Sequence, residues 1–101
     1  MASRLELQTM LEELLGSRNV YFQPPASVRM NYPAIVYSRQ DIENEFADNS
    51  VYIQSLGYEI TVIDADPDSD LPRKVSKLPM CRFDRHYTAD NLNHDVFTLY
   101  F

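Results

Sequence analysis

Between Ser3 and Leu15 the apolar side chains Leu7, Met10, Leu11, Leu14 and Leu15 recur at intervals of three and four, the spacing of one helical face, which predicts an amphipathic helix. Ser3 followed by Glu6 fits a capping box, where each side chain satisfies an amide left without a partner by the first turn. Gly16 supplies the residue that most easily takes the left-handed turn that stops a helix. The period then changes. "NVYFQ", 19–23, predicts a short aromatic strand ended by Pro24 and Pro25, which have no N–H to give a ladder. "YPAIVYSR", 32–39, predicts a second strand, with Ile35 and Tyr37 set against Ala34 and Val36, and Pro33 at its start or on an edge.

The stretch "QDIENEFADNS", 40–50, is acidic, and its Ile42 and Phe46 stand at helical spacing without a sustained repeat, so it reads as a loop with at most one helical turn. A strand or strand pair follows over 51–64, broken by a bulge or bend at Gly57; Tyr58, Ile60 and Val62 alternate with Glu59, Thr61 and Ile63. "LPRKVSKL", 71–78, predicts a short helix with Leu71, Val75 and Leu78 on one face and Asp70 or Ser69 as its N-cap. "MCRFDRHY", 80–87, and "DVFTLYF", 95–101, predict two strands joined by the turn-rich "TADNLNH".

This order predicts one α+β domain over 1–101, with a mostly antiparallel sheet of four to five strands. The N-terminal helix and the short second helix pack on one face, and a flexible acidic loop occupies 40–56. No long crossover helix is available to build a parallel doubly wound sheet.

Composition narrows the function classes. Nine basic against fifteen acidic residues give a net charge of −6, which opposes tight binding to phosphate backbones. One cysteine, Cys81, precludes an internal disulfide framework and suits a reducing compartment. No stretch has the apolar length of a signal peptide core or a membrane span, so a cytoplasmic product without membrane contact is expected.

The densest chemistry is "ITVIDADPDSD", with Asp64, Asp66, Asp68 and Asp70 at alternate positions. A calcium loop needs glycine at its sixth position and a bidentate glutamate at its twelfth. Counting from Asp64 these are Ser69 and Val75; from Asp66 they are Leu71 and Lys77. Both registers fail, and a solvated strand-to-helix turn is the better reading. Continued strand geometry would place Asp64, Asp66 and Asp68 on one face, a concentration of like charge. Helix capping accounts for Asp70 and leaves Asp64 and Asp66 unexplained.

Cys81 and His86 differ by an odd number, which on one strand sends them to opposite faces and argues against a nucleophile pair. His86 and His94, with Asp90 and Asp95 nearby, lack the close paired spacing of structural zinc sites. With glycine only at 16 and 57, no phosphate-binding loop is possible, and no serine elbow is present. Catalytic residues, metal and cofactor are therefore all expected to be none, and the protein is expected not to be an enzyme. Seven tyrosines and five phenylalanines exceed what a small core needs and point to protein contacts.

Through "LQTMLEELLG", "NVYFQPP", "YPAIVY", "YEITVID" and "CRFDRHYTADNLNHDVFTLYF", the chain resembles the tail terminator, or tail completion, proteins of long-tailed bacteriophages. The resemblance covers nearly the whole length and rests on the order of segments. It implies a virion structural protein that forms a ring, usually six-fold, capping the tail tube and joining it to the head connector or stopper protein. Genomic DNA would pass through the lumen without specific binding. No catalytic residue is carried over. On that reading Asp64, Asp66 and Asp68, or Asp41, Glu43, Glu45 and Asp48, are candidates to line the lumen or a ring contact. Arg73, Lys74 and Lys77 are candidates to meet a neighbour's acidic loop. Another neck or head completion protein, a monomeric binding adaptor and, last, a metal-dependent hydrolase are the alternatives.

Overall fold

A computed structural model describes residues 4–25, 27–47 and 50–101, those of 41–55 by their backbone path. The elements run α1 Arg4–Leu15, β1 Val20–Phe22, β2 Ala34–Ala47, β3 Ser50–Asp64, α2 Leu71–Ser76, β4 Cys81–Ala89 and β5 Leu92–Tyr100. The five strands lie in the order β1-β2-β3-β5-β4. β1 runs parallel to β2 and every other pairing is antiparallel, so the domain is α+β with a mostly antiparallel sheet.

Both helices cover one face of the sheet. Leu7 and Leu11 of α1 and Leu71 and Val75 of α2 close over Ile35, Tyr37, Tyr58, Ile60, Val62, Phe97 and Leu99 in one core. The helical spacing predicted for α1 is realised, with Leu7 and Leu11 buried and Met10, Leu14 and Leu15 at the margin. Gly16 ends the helix at φ +81°, its amide donating to the Glu12 carbonyl at 2.9 Å. Ser3, half of the expected capping box, lies outside the described residues. The strand alternation is also realised: Tyr58, Ile60 and Val62 are buried beneath the helices.

Three expectations are corrected. Residues 40–47 and 50–56 are strand, not loop: β2 continues to Ala47 and β3 begins at Ser50, paired from Asp41↔Gly57 to Ala47↔Ser50. In sequence the acids Asp41, Glu43 and Glu45 alternate with Ile42, Asn44 and Phe46, a period of two that ladder hydrogen bonds exploit despite the weak strand preference of Asp, Glu and Asn. Gly57 does not break its strand, because the irregularity falls on the partner, between Arg39 and Asp41. The last turn is tighter than "TADNLNH" suggests: only Asp90 and Asn91 separate β4 from β5, both at positive φ (52° and 61°), the geometry of a type I′ hairpin turn.

Beyond Gly57 the two arms 41–47 and 50–56 pair, among the described strands, with each other alone, since β1 stops at Tyr37 of β2 and β5 stops at Gly57 of β3; at the root of the arms the Leu56 carbonyl still accepts the Phe101 amide at 3.0 Å. Seven residues of strand extend about 23 Å, so the arms form a ribbon projecting from the five-stranded body. The molecule measures 51 × 25 × 23 Å with a radius of gyration of 14.6 Å, above the ~13 Å of a compact chain of this length. Among the described residues no helix is long and apolar enough to cross a membrane.

Candidate functional site

β3 ends at Asp64, which pairs with Asn93 of β5, and the chain turns twice before α2. The Asp64 carboxylate accepts the Asp66 amide at 3.0 Å, and the Asp66 carboxylate accepts the Asp68 amide at 2.9 Å. These are successive Asx turns, in which a short acidic side chain stands in for a backbone carbonyl. The strand-to-helix turn expected after Asp64 is realised, and strand geometry does not continue through Asp68: the carboxylates of Asp64 and Asp66 are used in shaping the loop, which explains the two residues that capping left over. Asp70 holds the N-cap position of α2 without a side-chain capping bond. The hydroxyl of Ser69 instead accepts the Leu71 amide at 3.3 Å.

The loop, the start of α2 and the β4–β5 hairpin enclose a cleft of about 360 Å³. Asp64, Asp66, Asp68 and Asp70 line it from one side, His86, Asn93 and Asp95 from the other, with Arg73 beside them. His86 Nδ1 lies 2.8 Å from Asp95 Oδ1, and Asn93 Nδ2 donates to the Asp64 carbonyl at 3.3 Å. Sequence reading did not assign His86, Asn93 and Asp95 to this region; strand pairing across β5 brings them there. The cleft is an acceptor-rich notch, suited to a cationic or hydrogen-bond-donating side chain and hostile to phosphate. Among the described residues, no group of three or more His, Cys, Asp or Glu side chains is placed to hold a metal ion.

The basic candidates of α2 divide. Arg73 lines the cleft, Lys74 reaches Asp70 at 3.9 Å, and Lys77 closes the helix through its amide. The Lys74–Asp70 pair is exposed on both sides, a geometry worth a few tenths of a kcal/mol. The other acidic candidates lie elsewhere. Asp41, Glu43 and Glu45 belong to the ribbon, with Asp41 opposite Gly57, about 23 Å along β3 from Asp64. Asp48 lies outside the described residues.

Cys81 and His86 do not lie on the opposite faces that the parity of one regular strand predicts. A bulge between Phe83 and Arg85 shifts β4 by one residue, so Cys81 pairs with Leu99 and His86 with Asp95, positions on the same face of β5. They still stand four β5 residues apart, about 13 Å, too far for proton transfer. Burial pushes the Cys81 thiol above its ordinary range, partly offset by a hydrogen bond from the Arg82 amide, so it is a poor nucleophile. The same bulge brings Arg82, Arg85 and Tyr87 onto the sheet face away from the helices, opposite Thr98, Val96 and His94. There Tyr87 stacks on His94 with ring centroids 4.6 Å apart, and Arg85 reaches Asp84 at 2.8 Å and Glu59 at 4.0 Å. His86 and His94 therefore point to opposite faces.

No protein-family model matches the chain, and no curated protein matches it in sequence.

Proposed function

We propose that the protein is a non-enzymatic structural component of a long-tailed phage virion, a tail terminator that assembles into a ring, usually of six copies, on the end of the tail tube. The observation that carries this reading is the ribbon: a small body holds out some 23 Å of paired strand that its own sheet does not use. A two-stranded hairpin alone is marginally stable in water, so an arm of this length is built to be covered by another protein. The segment order that resembles the terminators supports the same reading. Its partners are further copies of itself, the tail tube protein and the head connector or stopper protein, and its place is the neck of the virion after assembly in the host cytoplasm.

Six copies at −6 place about −36 on one ring, and acidic walls repel phosphate, letting DNA slide through without sticking. The 64–70 loop supplies one such wall. Asn keeps the side-chain acceptor that each Asx turn needs, so Asp64→Asn, Asp66→Asn and Asp68→Asn together remove charge while leaving the loop geometry.

The test is electron microscopy of the purified protein mixed with tail tubes of its phage. A ring seated on one end of each tube is the expected result, with the triple Asn variant still seating and the resulting particles impaired in DNA delivery. Tubes left bare at both ends would overturn the reading.

A further inference from the structure

β4 is the outermost strand of the sheet, and among the described strands it pairs with β5 alone. Its Cys81 amide is taken by the Leu78 carbonyl at 3.3 Å, but the eight residues that follow, 82–89, bond to no other strand on their outer side among the described residues, and Phe83 and Tyr87 are 51% and 43% exposed there. Exposed edges of this length are ordinarily shortened, covered or blocked, because they template the addition of another strand. The opposite edge of the sheet, β1, has only three residues.

The ribbon carries the complementary feature. Its β2 arm, 41–47, has no strand on its outer edge among the described residues, because β1 stops at Tyr37. Charge distinguishes the two arms: Asp41, Glu43 and Glu45 all lie on the β2 arm, and residues 50–56 carry no charge at all. β4 bears Arg82, Arg85 and His86 against a single acid, Asp84. Arg85 is already paired with Asp84 and Glu59, whereas Arg82 makes no ion pair among the described residues. Opposite charges on adjacent strands stabilise pairing.

We propose that the free edge of β4 receives the β2 arm of a second copy's ribbon, extending one sheet into the next by main-chain hydrogen bonds. The arm's seven residues fit within the nine of β4. Donor edge and acceptor edge are different surfaces of the same chain, so the contact is heterologous and can repeat from copy to copy until a ring closes. This rests on the self-association contained in the reading above and names the surfaces that make it.

The experiment compares full-length chains by sedimentation across concentration, with circular dichroism to check folding. Arg82→Glu, and separately Glu43→Lys with Glu45→Lys, are each expected to weaken association about tenfold, and the three changes combined in one chain to return it to within about threefold of the original. A second measurement uses two Cys81→Ser proteins, one with Arg82→Cys and the other with Glu45→Cys; oxidation should give the mixed dimer in preference to either homodimer. Oligomers that form normally in both charge variants, with no mixed dimer, overturn the edge assignment and leave self-association standing. A chain monomeric at every concentration tested also overturns it, and leaves the tail reading to the microscopy above.

Discussion

The Tyr37 hydroxyl donates to the side-chain carbonyl of Gln8 and accepts from Arg4 at 3.2 Å, so one phenol ties β2 to two turns of α1. Gln8 is held in turn, its amide donating to the Val20 carbonyl at 3.1 Å and the Glu12 carboxylate at 3.0 Å. Burial raises the Tyr37 pKa above its ordinary value, with Arg4 opposing. The folded state therefore holds this proton more tightly than the unfolded state does. The resulting stability is complete below about pH 10 and is lost as pH rises from there through the raised folded value. Tyr37→Phe should cost about 1 kcal/mol at pH 7 and make the alkaline decline shallower. Urea unfolding at pH 7 and at about pH 10.5 reads both effects, and an identical alkaline slope in the variant would count against the assignment.

Phe97 and Phe83 meet edge to face with centroids 5.5 Å apart, but Phe97 is 1% exposed and Phe83 51%. Phe97→Ala should cost about 3–5 kcal/mol through the cavity it leaves. Phe83→Ala loses the ring contact and little burial, and should cost about 0.5–1.5 kcal/mol. Chemical denaturation of the two variants separates these values; equal costs would mean that β4 is covered in solution.

At Gly16 an added Cβ would meet nothing within 4 Å, yet φ is +81°. The penalty of Gly16→Ala is thus a backbone penalty alone, about 1 kcal/mol, and Gly16→Asn should lose less because Asn tolerates the left-handed region. A thermal melt ranks the three chains, and Ala no worse than Asn would refute the account.

Replacing residues 43–55 by Asn-Gly keeps the Ile42↔Leu56 pair and closes it with a two-residue turn of the favoured type. Because the excised arms pair only with each other, the body should still unfold cooperatively, with a midpoint within a few degrees of the parent. Broad or absent unfolding would show that the ribbon holds the body together.

The parts of the fold legible in the sequence were those where one period dominates a long window. α1 announced itself by five apolar residues on one face and a glycine stop, and the centre of β3 by strict alternation at Tyr58, Ile60 and Val62. The ribbon was obscured because its alternation is written in acids and amides rather than in apolar residues. Pairing order was out of reach for another reason: the parallel β1–β2 contact and the seat of β5 between β3 and β4 are decided by long-range packing. At the cleft, sequence located all four aspartates and missed His86 and Asp95: the bulge that sets the facing of His86 depends on the partner strand, and Asp95 reaches the cleft only through the seat of β5 beside β3.

The strand that stands between β3 and β4 is the last of the five to be made. As the chain leaves the ribosome, α1, both arms of the ribbon and α2 emerge while the place of Phe97 and Leu99 in the core is still empty. Native closure waits for synthesis to pass Tyr100. Until then β3 offers an unsatisfied inner edge, the kind of transiently unpaired strand that makes a partly folded chain prone to misassembly.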